Sequence, residues 1–367
     1  MERTESKKRE PLLRIAKRGS IARWKAWLIR AAAIIAAMIC CGIVSFFITK
    51  GSPLKVYEVM FDGAFGTERR IWALLQNLAI LLCISVAVTP AFKMRFWNIG
   101  AEGQALVGGL ASAACMILIG DSVPEPLLLI IMALSGIAAG ALWAFIPAIF
   151  KAYRNTNETL FTLMMNYIAM QLVAFFTYKF SVPKGSGKIG IINRDSHAGW
   201  LPAIGGHEYF VNIIAVLLVT IAMYVYLKFS KHGYEISVVG EGEHTAGYIG
   251  ISVRKVMIRT LLISGAICGL AGLLLVAGTD HTITRDTVAG RGFTAIMVSW
   301  LAKFDPLIMI FTSFLIVFLG RGSAEVATVY GLNESFSDIL TGIMIFFIIG
   351  CEFFVQYTIK FRKKEVA

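Results

Sequence analysis

Hydrophobic runs of about 20 residues, separated by short polar segments, recur along the whole chain. An α-helix needs about 20 apolar residues to cross the hydrocarbon core of a bilayer. The runs are continuous, whereas the strands of a transmembrane β-barrel alternate apolar and polar positions. The pattern therefore predicts an all-α polytopic membrane protein with about ten transmembrane helices. The predicted spans are 27–48, 71–91, 100–119, 127–150, 159–180, 209–229, 256–278, 292–302, 306–319 and 336–357.

Two of these predicted spans, 292–302 and 306–319, are shorter than a full crossing requires, and a third region is unusually polar. Residues 96–104 read FWNIGAEGQ and place Asn98 and Glu102 between apolar runs. A carboxylate at membrane depth costs about 2.5–3.5 kcal/mol on insertion scales, so it is expected to face protein or a wet cavity. The motif predicts a break in the helical path that opens the bundle for a solute. The alternative is a short turn before a tightly packed helix, with Glu102 as a structural residue at the helix terminus.

The helical pattern is interrupted near residues 96–104 and again near residues 290–305, and these two interrupted regions fall at roughly corresponding places in the two halves of the chain. With five spans in each half, an internal duplication would be inverted, as in many transporters. The sequence contains no strong residue-level repeat, so an inverted repeat of five plus five spans would be visible only in the arrangement of the helices.

The charge distribution agrees with a membrane protein. The chain is 57% hydrophobic and 16% charged, against roughly 25% charged in a soluble domain. Its net charge of +12 comes from basic residues at the ends of hydrophobic runs, which indicates membrane topology rather than nucleic-acid binding. With ten spans, 24 of the 35 lysines and arginines fall on one side and predict that both termini are cytoplasmic. The six cysteines lie in apolar runs without a CxxC pair, which predicts packing rather than metal or disulfide chemistry.

Three parts of the chain follow from this pattern. Residues 1–26 form a predicted basic cytoplasmic tail, residues 27–358 a transmembrane domain, and residues 359–367 a second basic tail. Residues 230–256 are the largest polar segment between two spans and are predicted to be cytoplasmic. This segment is too long for a minimal turn and too short for a domain, so it is either a docking element for a cytoplasmic partner or an ordinary solvated loop.

Four stretches, in this order, resemble the permease subunits of bacterial ABC importers. They are residues 96–104 (FWNIGAEGQ), 157–169 (NETLFTLMMNYIA), the segment 233–251, and 290–306 (GRGFTAIMVSWLAKFDP). The resemblance is to the superfamily of branched-chain amino acid, ribose and nucleoside permeases, and within it to permeases for nucleosides or simple sugars. It covers roughly residues 30–358.

The resemblance implies a type II importer permease of ten helices with several partners. These are an ABC ATP-binding subunit on the cytoplasmic side, a second permease subunit that is expected to be a different chain, and an extracytoplasmic substrate-binding lipoprotein. The implied function is a translocation pathway for nucleosides in the cell membrane. Simple sugars such as ribose or galactose are the alternative solutes.

The resemblance also implies which residues couple the permease to its ATPase. The family commonly has a pattern like G-x-N-P-x-A-A, where this chain has Gly240-Glu-Gly-Glu-His-Thr-Ala246 without the Asn-Pro pair. The departure puts the partner contacts in question, but not the location of the coupling segment. The residues assigned to ATPase coupling are Glu235, Gly240, Glu241, Glu243, His244, Ala246 and Gly250.

The translocation pathway is assigned to polar residues that can bond to a hydroxyl-rich solute and to aromatic residues that can cover a ring. These are Phe96, Trp97, Asn98, Glu102, Gln104, Asn166, Phe293 and Thr294.

No enzymatic site is predicted in this chain. The nearest string to a P-loop, Gly185-Ser-Gly-Lys188, lacks the first glycine of that motif and is followed by Ile189 instead of Ser or Thr. No metal-ligand set or nucleophile–base pair accompanies it, so we expect no cofactor, and the energy for transport must come from ATP used by a partner or from an ion gradient. A secondary transporter is the rival hypothesis, with Glu102, Glu325 and Glu352 as candidate relay groups.

Overall fold

The structure, a computed structural model, describes residues 13–18, 22–49 and 51–361. Most of the two predicted basic tails therefore lies outside the described residues. The helices are α1 Arg23–Thr49, α2 Pro53–Phe65, α3 Glu68–Lys93, α4 Ala101–Ile119, α5 Glu125–Arg154, α6 Glu158–Lys179, α7 Phe210–Phe229, α8 Lys231–Glu241, α9 Glu243–Tyr248, α10 Val253–Leu275, α11 Arg291–Leu301, α12 Pro306–Val329 and α13 Glu334–Gln356. A π-helical turn, Val276–Asp280, extends α10, and two short strands are β1 Leu13–Lys17 and β2 Tyr357–Phe361.

Long apolar helices dominate the fold. Within the described residues, nine helices are long and apolar enough to cross a membrane, among them α3 to α7 and α10. The predicted helical, multi-pass membrane protein is thereby confirmed. The span predicted over 159–180 corresponds to α6, which begins at Glu158 because the Asn157 side chain accepts a hydrogen bond from the Leu160 amide at 3.1 Å and caps the helix.

The contacts divide the chain into two compact units, Met1–Gly66 with Leu319–Ala367 and Thr67–Phe318. In the second unit, α10 packs against α3, α4 and α5. The closest approach runs through glycines: a Cβ placed on Gly108 of α4 would lie 2.3 Å from the Cα of Gly269 on α10. Small residues of this kind let transmembrane helices pack backbone against backbone.

In the first unit, α1 packs against α13 and α2. The Arg30 guanidinium donates to the Glu352 carboxylate at 2.9 Å, which joins α1 to α13. β1 pairs with β2 in antiparallel register, with Leu13 opposite Phe361 and Lys17 opposite Tyr357. The otherwise helical chain thus contains one strand pair, which the hydrophobic pattern did not predict.

The strand pair lies next to the first and the last long helix of the described residues. β1 precedes α1 and β2 follows α13 directly. α11, which covers the predicted short span 292–302, has only 11 residues and is not among the nine described helices that are long enough to cross a membrane.

Two boundaries differ from those predicted. Residues 50–70 are not merely a polar connection, because α2 forms there and buries Val56, Met60 and Ala64 at a spacing of four residues. The span predicted to end at residue 319 continues to Val329, so Glu325 lies on α12 and not in a loop. The extension includes the buried Ser323, whose hydroxyl donates to the Leu319 carbonyl at 2.7 Å within the helix.

Candidate functional site

The two interrupted regions of the sequence meet at the carboxylate of Glu102. Its Oε1 accepts a hydrogen bond from the Gly290 amide at 2.8 Å, and its Oε2 accepts one from the Gly292 amide at 2.7 Å. These amides belong to the first turn of α11, where no carbonyl of the helix itself can accept from them. The carboxylate also carries the charge that the positive end of a helix dipole favours. The side chain is 2% exposed, so Glu102 is a buried cap for a helix far away in sequence.

Two glycines make this contact sterically possible. Gly290 has a φ of +73°, in the left-handed region that other residues rarely adopt. Gly292 lies so close to α4 that a Cβ on it would be 2.5 Å from the Glu102 amide nitrogen and 2.8 Å from Oε2. The sequence GRG therefore both turns the chain into α11 and lets the helix end reach the carboxylate.

A second set of bonds fixes the start of α4. The Asn98 Oδ1 accepts from the Gly100 amide at 3.0 Å and from the Gln104 Nε2 at 3.1 Å, and Asn98 Nδ2 lies 3.4 Å from the Ser264 hydroxyl of α10. Both Asn98 and Gln104 are buried. The loop between α3 and α4 is thereby closed on itself and tied to α10.

The Asn166 side chain of α6 holds the same loop from the opposite direction. Its Nδ2 donates to the Ile99 carbonyl at 2.9 Å, while its Oδ1 accepts from the Gly103 amide at 2.9 Å. The Thr162 hydroxyl, one turn earlier on α6, accepts from the Ile99 amide at 3.2 Å. One amide side chain thus satisfies a loop carbonyl and an amide in the first turn of α4.

The predicted pathway residues therefore fall into two groups. The polar group is buried and forms hydrogen bonds within the chain; it consists of Asn98, Glu102, Gln104 and Asn166. The Phe96 ring is buried as well. Trp97 and Phe293 are exposed, and Thr294 is half-buried. The structure brings all eight predicted residues into one region, around the start of α4 and the start of α11.

One face of α11 is apolar and only partly covered. Phe293, Ile296, Met297 and Trp300 follow the spacing of a single helical face, and we call them the α11 stripe; Phe293 and Trp300 are exposed, whereas Ile296 and Met297 are half-buried. The opposite face, with Ala295 and Val298, is buried where α11 packs against α3 and α4.

The α11 stripe ends in a cluster of aromatic rings. The Trp300 and Trp97 ring centroids lie 5.4 Å apart, and the rings are tilted by 38°. Phe92 of α3 packs its edge against both, with centroids 5.9 Å from Trp97 and 6.5 Å from Trp300. Trp300 was missed by the sequence reasoning, although it lies seven residues after Phe293, the spacing that places two residues on one helical face.

The connection that leads from α10 into α11 is polar. Thr284, Arg285 and Asp286 are exposed, whereas Ile283 and Val288 are buried and anchor the segment. The Arg291 side chain, half-buried at the start of α11, donates to Asn77 of α3 at 2.9 Å and to the Thr287 carbonyl at 3.2 Å. Charged and exposed groups thus surround the end of α11 that Glu102 caps.

The predicted coupling segment forms the helices α8 and α9. The Glu235 carboxylate of α8 accepts from the Arg259 guanidinium of α10 at 2.8 Å, and this bond lowers the pKa of the Glu235 carboxyl. Gly240 is buried against the end of α3, since a Cβ there would lie 2.2 Å from the Lys93 carbonyl oxygen. Ala246 of α9 is also buried. These three residues attach the segment to the bundle.

The remaining coupling residues face outward, on a surface that includes two large apolar side chains. Tyr248 is 92% exposed and Ile249 is exposed beside it. A cavity of about 380 Å³ lies between α8 and the beginning of α10, with Tyr234 and Lys255 in its lining. The exposed predicted residues are Glu241, Glu243, His244 and Gly250.

Comparison with known proteins places this architecture among transport proteins. The model of the branched-chain amino acid transport system permease component family matches residues 70–349. The glucose ABC transporter permease protein TsgB13 of Haloferax volcanii is 29% identical over 95% of this chain and 93% of its own length. The guanosine ABC transporter permease protein NupP of Bacillus subtilis is 28% identical over 87% of this chain and 91% of its own length. The nucleoside ABC transporter permease protein NupB of Lactococcus lactis is 26% identical, with 81% and 84% covered.

Replacing Glu102 by Ala should destabilise the protein, because it leaves two buried amides without acceptors. Each unsatisfied buried group costs about 1–3 kcal/mol. Glu102→Gln should be intermediate, since its amide keeps one acceptor oxygen but presents a donor to the second N–H. The measurement is the midpoint of thermal unfolding in detergent, followed by size-exclusion chromatography.

The matched control is Glu125→Ala, which removes an exposed glutamate from the first turn of α5. We expect its midpoint to stay close to that of the wild type. Equal midpoints for Glu102→Ala and Glu125→Ala would contradict the capping role of Glu102.

Proposed function

The chain belongs to the family of permease components of branched-chain amino acid transport systems, and we propose that it forms the translocation pathway of an ATP-driven importer for nucleosides. The multi-pass membrane architecture and the family resemblance read from the sequence are both confirmed. A permease component is not itself catalytic, so ATP hydrolysis is assigned to a partner subunit. The rival hypothesis of an ion-coupled secondary transporter loses its support, because the named relatives are ABC transporter permeases.

The observation that carries the pathway proposal is the short helix α11, which follows the irregular segment 281–290 and which we take to form a broken crossing with it. Irregular backbone at membrane depth is tolerated only where it is buried in protein or lines a water-filled cavity. The exposed Arg285 and Asp286 fit the wet alternative, since charged side chains facing lipid are costly. The solute pathway then runs along the exposed face of α11, past Phe293, Thr294 and Trp97.

In this proposal the buried polar residues shape the pathway without touching the solute. Glu102 positions the start of α11, while Asn98, Gln104 and Asn166 position the start of α4. Phe96 packs behind them. A permease must release its solute, and an apolar wall with few polar groups offers only weak contacts.

Nucleosides are favoured as solutes by the aromatic surface beside α11 and by two of the relatives, which are named as guanosine and nucleoside permeases. A simple-sugar importer is the second candidate, favoured by the glucose permease relative, whose alignment covers 95% of this chain.

The partners proposed for this chain are those of an ABC importer. An ATP-binding subunit docks on the exposed surface of α8 and α9, where Tyr248 and Ile249 supply apolar contact. A second permease subunit, a different chain, faces the α11 side of the pathway, and a substrate-binding lipoprotein delivers the solute from outside the cell. No cofactor is proposed for this chain, because ATP binds to the partner.

The α8–α9 end is assigned to the cytoplasm together with both termini. The excess of lysine and arginine near the corresponding span ends supports this orientation. The strand pair adds independent support that the two termini share one side.

Coupling is proposed to pass from α8 to α3. The backbone of Gly240 touches the Lys93 carbonyl at the end of α3, and the loop that begins there leads to Trp97 and Asn98. When the ATP-binding subunits close, a shift of α8 moves the end of α3 as a rigid body and changes the inner end of the pathway.

The proposed function is tested by purifying the tagged chain in gentle detergent and identifying every co-purifying protein by mass spectrometry. An ATP-binding subunit and a second permease should co-purify. The complex is then reconstituted in liposomes with its binding protein. ATP should drive uptake of guanosine and uridine, whereas ribose and glucose uptake should be absent.

Uptake of sugars alone would replace the nucleoside proposal by the sugar alternative. A chain that purifies without an ATP-binding subunit and transports on a proton or sodium gradient would contradict the importer assignment.

Gly240→Ala should weaken coupling between ATP hydrolysis and uptake. The added methyl group cannot fit against the Lys93 carbonyl, so α8 must move away from α3, and overpacking of this kind costs about 1–3 kcal/mol. We expect a lower number of nucleosides transported per ATP hydrolysed while the ATP-binding subunit still co-purifies. Gly247→Ala is the matched control, because Gly247 is exposed on α9 with open space around it. Wild-type stoichiometry in Gly240→Ala would remove this coupling route.

A further inference from the structure

We propose that Trp97 and Trp300 form a stacking site for the planar base of the solute at the inner end of the pathway. The inference rests on the proposed function and deepens it, since it names the part of the solute that this chain recognises. It concerns the aromatic cluster at the end of α11, which includes Trp300, a residue absent from the sequence-based set.

The geometry provides a ring surface at one defined place. Trp97 is 44% exposed and Trp300 is 49% exposed, while Phe92 is buried behind both. The two indole rings touch each other at an angle of 38°, so a base stacks on their outward faces and not between them. Phe92 keeps both rings in place from the side of α3.

The site lies at the far end of the α11 stripe from the Glu102 cap. Phe293 and Trp300 are separated by seven residues, which is about 10 Å along an α-helix. A ring that passes Phe293 near the capped end therefore meets the tryptophan pair one short step later. The exposed Arg95 and Lys303 flank this end and mark its contact with water.

The chemistry of the surface favours a base over a sugar. Apart from the weakly accepting sulfur of Met297, the α11 stripe offers only the indole N–H of Trp300 for hydrogen bonding, and Trp97 adds one more. A sugar has no aromatic ring that could stack on the two indoles. A base presents a π-face to tryptophan and can leave its ribose in water. Stacking of this kind is tolerant of base identity and stronger for larger rings.

Contact with lipid is the other use of exposed tryptophans near a membrane surface. Two features argue against it here. α11 is a half-crossing whose entrance carries exposed Arg285 and Asp286, and the stripe continues from that charged entrance to the tryptophans without interruption. A face that begins among exposed charges is better suited to a wet pathway than to acyl chains.

The test compares Trp300→Leu, which removes the ring and keeps an apolar side chain, with Trp300→Phe, which keeps a ring. Both are measured in the reconstituted complex as ATP-driven uptake of guanosine and uridine per assembled transporter. Trp300→Leu should lower guanosine uptake about fivefold or more, in line with the loss of one base–aromatic contact. The loss for uridine should be smaller, and Trp300→Phe should recover most of the guanosine uptake. Phe346→Leu, on an exposed aromatic of α13, should leave both rates unchanged.

A second measurement does not depend on variants. Photolabelling the wild-type complex with 8-azidoguanosine should mark peptides that contain Trp97 or Trp300, and excess guanosine should prevent the labelling while ribose should not.

The outcomes separate the two levels of the proposal. A wild-type complex that moves no nucleoside contradicts the proposed function and the stacking site with it. Nucleoside uptake that is normal in Trp300→Leu, or lowered equally in the Leu and Phe variants, overturns the stacking site alone. Photolabelling that is confined to peptides without Trp97 and Trp300, including labelling found only on lipid-facing residues, also overturns the stacking site alone.

Discussion

The bond between the Glu102 carboxylate and the first turn of α11 is the interaction on which the candidate pathway depends. A buried carboxylate is costly to desolvate, and two amide N–H groups at a helix terminus are costly to bury without acceptors. Each side offsets the other, because both carboxylate oxygens accept short bonds from Gly290 and Gly292. Charge-assisted bonds of this kind are stronger than bonds between neutral groups. Without them, the start of α11 would hold two amides with no acceptor in the contact with α4.

The rest of the region follows from that fixed point. Asn166 and Asn98 hold the loop before α4, so the capping carboxylate is carried by a rigid frame. One end of α11 is fixed to this frame. At the opposite end, the Trp300 ring of the α11 stripe packs directly against Phe92 of α3, and the end of α3 lies against Gly240. The proposed stacking site and the proposed coupling route therefore both rest on α3, the first through Phe92 behind the two tryptophans and the second through the Lys93 carbonyl next to α8.

Much of the fold and part of the candidate site could be predicted from the sequence. Span positions follow from hydrophobic length, and the Asn157 cap follows from side-chain chemistry next to a helix start. The sequence also indicated that Glu102 needs a partner inside protein. It could not identify that partner, because the Glu102 carboxylate accepts from backbone amides. Every residue except proline has a backbone amide, so no residue type in the sequence indicates which one is bound.

The errors have similar physical causes. α2 is short and buries only three residues, so its helical spacing was hidden in a polar segment. α12 continues through Gly320, Arg321 and Gly322, and there Gly322 lies so close to α2 that a Cβ on it would be 2.8 Å from the Met60 carbonyl oxygen, a contact that composition alone does not reveal. β1 and β2 pair across nearly the whole length of the chain, and such distant pairing leaves no local signal. Trp300 was overlooked because its importance comes from Trp97 and Phe92, which reach it from α3 and the loop after it.

Hydrogen–deuterium exchange of the peptide that covers Gly290 to Leu301, in the intact complex, tests the central claim most directly. The account predicts slow exchange at the amides of Gly290 and Gly292 in the wild type, and fast exchange at both amides in Glu102→Ala, with α5 and α7 unchanged. Fast exchange at both amides in the wild type, or no difference between the two proteins, would contradict the claim that Glu102 holds α11 in place.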